Sequence, residues 1–264
     1  MGKKIKTWRI LFFEKDFVWR KGINPLYTLF DFDKTILDKD SFGHIIFNTL
    51  TKDELQIIYD KRYDNWVDGY NYSLKQIKSH GISKNDFNKL LDELSLSKGM
   101  QDLFSYIKEQ KEKYDNILIS CNYDYVINYI LNKYHISDIF SEIIANPSRE
   151  PNPDENDQFI YVLKRKEHKC NNCNPCLCKN YSYKEFCETH NMNNYSKIIF
   201  ICDGRNDLCL AKELGKDDIT FARKDFEFFK SLYKDNGMNN LKRKIEIWEN
   251  GNDIVNYLKA NKIC

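Results

Sequence analysis

Three short apolar runs constrain this chain most: Leu26-Tyr27-Thr28-Leu29-Phe30, Ile117-Leu118-Ile119 and Lys197-Ile198-Ile199-Phe200-Ile201. Each is too short for a buried helix, and polar residues follow at the tips: Asp31, Ser120 and, just past Cys202, Asp203. Helical spacing fills the intervals. Leu55, Ile58, Tyr59 and Arg62 recur at that spacing, and Ser83 can cap a helix carrying Phe87, Leu90, Leu91 and Leu94. Ser97 and Gly99 open another helix, with Leu103, Phe104 and Ile107 on one face. Tyr125, Ile127, Ile130 and Leu131 predict the next, followed by a strand at Ile143-Ile144-Ala145 that Asn146-Pro147 stops. A loop over 149–157, a helix near 183–190, strands at Ile219-Thr220-Phe221-Ala222 and Ile245-Glu246-Ile247-Trp248, and a last helix over 253–258 complete the pattern. Strands alternating with helices predict an α/β fold, a three-layer Rossmann-like parallel sheet covered on both faces. Ligands bind such sheets beyond the carboxyl ends of the strands, so Asp31, Ser120 and Asp203 are expected to converge. The helical stretch 41–96 is expected to form a small cap over that site, with 26–40 and 97–264 as the core.

Composition excludes several classes. Aromatic residues make up 14% and hydrophobic residues 42%, enough for a sizeable core, while a mean hydropathy of −0.65 with 30% charge predicts a soluble protein. The 41 basic and 39 acidic residues leave a net charge of +2, which is no global nucleic-acid footprint. No apolar run is long enough to span a bilayer, and the start of the chain is too charged for an export signal. Position 6 is Lys, which fails a myristoylation pattern. A cytoplasmic location without membrane attachment is expected. Residues 1–25 form a basic extension, in which Lys3, Lys4, Lys6, Arg9, Lys15, Arg20 and Lys21 face only Glu14 and Asp16. A solvated edge hairpin around Arg9-Ile10-Leu11-Phe12-Phe13 is expected there. Oligomeric state is not legible.

Asp31-Phe32-Asp33-Lys34-Thr35 follows the first strand directly. Strand alternation predicts Asp31 and Asp33 on one side with Phe32 packed behind. Two neighbouring carboxylates repel unless a cation joins them, and Mg²⁺ is the hard cation that also binds substrate phosphate. Ser120 offers a hydroxyl, Lys179 a compact positive charge, and Asp203-Gly204-Arg205-Asn206-Asp207 two more acids around a glycine that permits close backbone approach.

These residues resemble the four motifs of haloacid dehalogenase (HAD) superfamily phosphatases. The nearer likeness is to the branch of phosphoethanolamine/phosphocholine phosphatase and pyridoxal phosphate phosphatase. It rests on Asp31-Phe32-Asp33-Lys34-Thr35-Ile36 with Asp38 and Ser41, on Ile119-Ser120, on Asn146-Pro147, on His168, Cys170, Cys173, Cys178 and Lys179, and on Trp248-Glu249. It runs from about Leu29 to the C-terminus. The resemblance implies Mg²⁺-dependent hydrolysis of a small phosphate monoester of the pyridoxal phosphate, phosphoethanolamine/phosphocholine or thiamine monophosphate class. Asp31 is the implied nucleophile and forms an aspartyl-phosphate; Asp33 is the implied general acid and base. Asp31, Asp203 and the backbone carbonyl of Asp33 are the implied Mg²⁺ ligands, supported by Asp207. Ser120, Lys179, Gly204 and backbone N–H groups near Phe32 and Asn122 are the implied phosphate grip.

The chain departs from the branch at Phe42 and Cys121. There, phosphoethanolamine/phosphocholine members carry acids thought to face the substrate's cationic head, so these two are the candidate specificity positions. Cys202 stands where the family usually has Gly. A phosphoryl hydrolase cleaving pyrophosphate and a zinc-stabilised non-catalytic binding module are the alternatives.

Nine cysteines are present, and Cys170, Cys173, Cys176 and Cys178 crowd one short segment, an insert at 165–180. Their spacing suggests metal ligation. His168, Cys170, Cys173 and Cys178 can form a Cys₃His zinc site, with Cys176 as an alternative ligand, fixing the loop that delivers Lys179. Reduced thiols packing a loop, or a labile disulfide, are the other readings.

Overall fold

Continuous apolar strands bury both of their faces, and the layers follow from that. The computed structural model describes residues 26–152, 154, 157–190, 197–234 and 244–263. The basic extension and its expected hairpin lie outside the described residues. Six parallel strands form the central sheet: β1 (Leu26–Phe30), β2 (Tyr114–Tyr123), β3 (Phe140–Asn146), β6 (Lys197–Cys202), β7 (Ile219–Arg223) and β8 (Lys244–Trp248), in the order β3-β2-β1-β6-β7-β8. A two-residue antiparallel ladder, β4 (Ser148–Arg149) with β5 (Tyr161–Val162), lies in the loop after β3. β1 is central, pairing Leu29 with Ile117 on one side and Phe200 on the other. The chain order reverses on either side of β1, which is where a parallel sheet opens a crevice at its carboxyl edge.

Helices cover the sheet: α5 (Met100–Glu109), α6 (Asp124–Lys133), α7 (Lys179–Thr189), α8 (Leu208–Glu213), α9 (Glu227–Lys234) and α10 (Gly251–Ala260). α5 and α10 cross at Gly99 and Gly251, where a Cβ on Gly251 would lie 2.2 Å from the Gly99 carbonyl oxygen. Glycine therefore sets how closely these two helices approach.

Between β1 and α5 the chain makes the expected helical insert: α1 (Ser41–Thr49), α2 (Lys52–Asp64), α3 (Trp66–Ser79) and α4 (Lys84–Asp92). Ser83 caps α4 through a reciprocal bond with Asp86. The strands of chain entering and leaving the insert run side by side, with Asp38 N–H bonded to Ser95 O at 3.0 Å and Ser97 N–H to Ile36 O at 2.8 Å. The insert docks through α4, which lies against α6, and through α3. Tyr70 donates its hydroxyl to Cys121 O at 3.1 Å, and Asn71 exchanges bonds of 2.8 and 2.9 Å with the Val162 carbonyl and N–H. Core and insert share one continuous apolar cluster.

Three boundaries differ from the sequence reading. β2 runs on past Ser120 to Tyr123, because Cys121 and Tyr123 are themselves buried. α7 starts at Lys179, four residues before the expected start, so the lysine stands on a helix's first turn. Asp33 is not on strand alternation. β1 ends at Phe30, and Phe32–Ile36 form a wide turn closed by Leu37 N–H to Phe32 O at 3.0 Å, with Lys34 left-handed at φ 57°. A lysine there is strained and must be held by its surroundings. Arg223 holds it, donating to Lys34 O at 2.6 Å and to Asp38 at 2.5 Å while its guanidinium lies over Phe226 and Trp248. Among the described residues no helix is long and apolar enough to cross a membrane.

Candidate active site

The wide turn after β1 puts two carboxylates on one cavity wall. Asp31 leaves the strand with its N–H on Ile201 O at 3.0 Å, and its Oδ1 accepts the Phe32 N–H at 2.7 Å. Phe32, Thr35, Ile36 and Leu37 are buried beneath and pin the turn. Asp33 then faces the cavity from the far side of the turn. Its Oδ1 accepts the Ser41 N–H at 2.7 Å and its Oδ2 accepts the Asn122 side-chain amide at 2.9 Å. The same amide donates to Ser41 Oγ at 2.7 Å, so Asn122 ties β2, the turn and the start of α1 together. Burial, with the nearby Asp40 charge, pushes the Asp33 carboxyl up to about 7, against the bonds from Ser41 and Asn122.

Lys179 is fully buried behind Asp31. Its Nζ lies 2.5 Å from Asp31 Oδ1 and 2.5 Å from Asp207 Oδ1. Burial works against the ammonium, but the carboxylates of Asp207 and Asp31 outweigh it and hold Lys179 above the ordinary lysine range. Asp203 closes the group from the tip of β6 and accepts Thr35 Oγ1 at 3.2 Å. Gly204 N–H donates to Asp207 Oδ2 at 2.7 Å, and a Cβ on Gly204 would lie 2.4 Å from Asn206 Oδ1, so the turn after β6 closes tightly on its glycine.

Carboxylate oxygens of Asp31, Asp203 and Asp207 all lie within 4.8 Å of one another. Three buried acids thus face one ammonium. The imbalance shows in their protonation: burial and the Asp31 charge push Asp207 up to about 7, and burial followed by Asp31 and Asp207 drives Asp203 well above the carboxylate range. An all-oxygen donor set short of positive charge fits a hard divalent cation. The Asp33 carboxylate is outside this group, its oxygens engaged by Ser41 and Asn122.

The cavity above these groups has a volume of about 650 Å³. Asp31, Asp33, Ser120, Asn122, Asp203 and Gly204 line it, as does Cys121; the insert adds Phe42, Trp66 and Tyr70. Lys179 and Asp207 stand behind the wall rather than on it. Ser120 Oγ accepts the Asn122 N–H at 3.1 Å. Phe42 is buried, packed edge-on against Tyr70 with ring centroids 4.6 Å apart. Cys202, in place of glycine, is accommodated: it is buried, and its carbonyl accepts the Trp248 indole at 3.4 Å.

The sequence reading named Thr35 and Asn146 without giving them a role, and omitted Tyr70, Arg223 and Cys209. Asn146 holds the tip of β2 by donating to Cys121 O at 2.6 Å. Thr35 and Asn146 lie inside stretches already singled out, and Arg223 is a lone charge closing an apolar strand. Cys209 gave no signal, since it stands 31 residues beyond the cysteine cluster it joins. The sulfurs of Cys170, Cys173, Cys178 and Cys209 lie within 4.8 Å of one another. His168, expected among the metal ligands, is not in that group: its ring bonds to Asn174 O at 3.0 Å and to Cys170 N–H at 3.3 Å. Cys176 is buried elsewhere, with its N–H on Asn174 Oδ1 at 3.1 Å.

The fold has solved counterparts. The chain superposes on the structure titled "Phospho-Aspartyl Intermediate Analogue of Phosphoserine phosphatase" with a TM-score of 0.55 at 15% identity, covering 89% of this chain and 99% of that one. It is 28% identical over 237 residues to pyridoxal phosphate phosphatase PHOSPHO2 of Bos taurus, covering 88% of this chain and 96% of the relative. Phosphoethanolamine/phosphocholine phosphatase of Gallus gallus is 25% identical over 244 residues, covering 89% and 88%. Fold and relatives together define a phosphatase with the haloacid dehalogenase fold. Within it, the chain belongs to the family described as "Putative Phosphatase", whose model matches residues 26–261. That membership disfavours the non-catalytic binding module.

Proposed function

We propose that the protein hydrolyses small-molecule phosphate monoesters in a Mg²⁺-dependent, two-step reaction at Asp31. The observation that carries this reading is the placement of Asp31: on the cavity wall, backed by Lys179, with Asp33 across the same turn. Asp31 attacks phosphorus in line, the ester P–O bond breaks, and Asp33 gives its proton to the leaving alkoxide. Water then attacks the aspartyl-phosphate, Asp33 takes a proton from it, and inorganic phosphate leaves with Asp31 restored. An Asp33 carboxyl held up near 7 suits both halves of that exchange. Ser120 and the backbone around Gly204 face the transferring group, while Asn122 fixes Asp33 and Lys179 fixes Asp31 and Asp207. Asp31 and Asp203, with the Asp33 carbonyl and with Asp207 supporting them from behind the wall, would hold Mg²⁺, which would supply charge stabilisation for the phosphoryl oxygens.

For the substrate we favour a planar aromatic alcohol of the pyridoxal kind. The wall carries Phe42, Trp66, Tyr70 and Phe226. Phe42 and Cys121 offer no charge to an ammonium head, and two wall acids, Asp40 and Glu227, are already paired with Lys34 and Lys230. Phosphate release from pyridoxal phosphate, phosphoethanolamine, phosphocholine, thiamine monophosphate and pyrophosphate, with and without Mg²⁺, tests both parts. Asp31→Asn should abolish turnover and leave the fold intact. Near-normal hydrolysis by that variant removes the mechanism, and a higher kcat/KM for phosphocholine than for pyridoxal phosphate removes the substrate assignment.

A further inference from the structure

We propose that Cys170, Cys173, Cys178 and Cys209 form a structural tetrathiolate zinc site that joins the loop ahead of α7 to α8. The four are free thiols. Cys209 Sγ lies 3.6 Å from Cys170 Sγ and 3.7 Å from Cys178 Sγ, and all four sulfurs fall within 4.8 Å of one another. Sulfurs bonded at about 2.3 Å to a tetrahedral zinc stand about 3.8 Å apart, so the cluster is already close to the spacing the ion requires. It is far too open for a disulfide, whose sulfurs lie about 2 Å apart. Four soft donors select zinc over the hard cation suited to the aspartates, and four protein ligands leave no open position for chemistry. Binding releases thiol protons to solvent and transfers no electrons.

His168 is the competing ligand, and its surroundings exclude it. Nδ1 accepts from Cys170 N–H, which leaves Nε2 protonated to donate to Asn174 O. Both ring nitrogens are spent on closing the loop that presents Cys170 and Cys173.

The location gives the site a purpose. Cys178 is the residue before Lys179, and Cys209 follows Asp207 by two. The ion would therefore bridge the same two segments that the buried Lys179–Asp207 bond of 2.5 Å must hold together. The loop it anchors also forms cavity wall through Asn172, Cys173 and Leu177, and Asn174 Oδ1 accepts the Trp66 N–H of α3 at 3.2 Å.

Metal content by mass spectrometry of protein made in zinc-supplemented medium and purified without chelators tests the site. One zinc per chain is expected in the wild type, in His168→Ala and in Cys187→Ser, and loss of that zinc in Cys209→Ser. Should Cys209→Ser not fold, Co²⁺ exchanged into the wild-type chain provides the second readout, with sulfur-to-metal charge-transfer bands and a tetrahedral ligand-field spectrum expected. A wild type without zinc, iron in its place, zinc kept by Cys209→Ser but lost from His168→Ala, or Co²⁺ without the thiolate bands would each overturn the proposal. Metal content is read without turnover, so these outcomes are distinct from failure of the phosphatase reading.

Discussion

Replacing Lys179 with Met is the sharpest test of how the acidic site is held. The ammonium lies 2.5 Å from Asp31 Oδ1 and 2.5 Å from Asp207 Oδ1, and it is fully buried. Met fills a similar volume but leaves two buried carboxylates facing each other and Asp203. Removing one partner of a buried ion pair costs about 3–5 kcal/mol, because the remaining charge stays uncompensated. In a chain of this size each kcal/mol moves the midpoint by about 2–4 °C, so thermal unfolding in magnesium-free buffer should fall by roughly 6–20 °C. Two further results discriminate the electrostatic cause from lost packing. Saturating Mg²⁺ should narrow the deficit, since the variant's site gains more from a divalent cation than the wild type's. Asp207→Asn in the Lys179→Met background should also restore part of the loss, giving a favourable coupling in the double-mutant cycle. A variant within about 1 kcal/mol of wild type, or one whose deficit is indifferent to both Mg²⁺ and Asp207→Asn, would refute the reasoning, the first outcome being smaller than any buried-pair cost.

Other consequences follow from single contacts. Asn122→Ala removes the amide that bonds Asp33 at 2.9 Å and Ser41 at 2.7 Å. A hydrogen bond to a charged group contributes about 1.5–3 kcal/mol, so kcat on an aryl phosphate should drop roughly 10–100-fold with KM little changed. Gly251→Ala drives a Cβ to 2.2 Å from Gly99 O, a backbone atom that cannot swing aside. Overpacking of this kind should cost about 1–3 kcal/mol in thermal unfolding while leaving kcat below the midpoint unchanged. Arg223→Met takes away the two bonds that brace the left-handed Lys34 turn, and kcat should fall without loss of the β7–β8 pairing, read by amide hydrogen exchange.

What the residues alone determined is the scaffold and the row of acids along its edge. Leu26–Phe30, Ile117–Ile119 and Lys197–Ile201 are apolar on both faces and alternate with helices, which together call for a covered parallel sheet and bring Asp31, Ser120 and Asp203 to one edge. The helical insert was legible for the same reason, through its spacing and the Ser83 cap. Tertiary packing alone decided the partners. Asp33 reaches the cavity by way of a strained turn that Arg223 braces from β7, 189 residues away. Lys179 contacts two acids because α7 begins at that residue, and a cysteine two positions past Asp207 joins the thiol cluster because α7 lies against α8, while His168 is turned to Asn174 and the Cys170 N–H. Periodicity reports which face of an element is buried; it carries no information about which distant side chain packing will bring to that face.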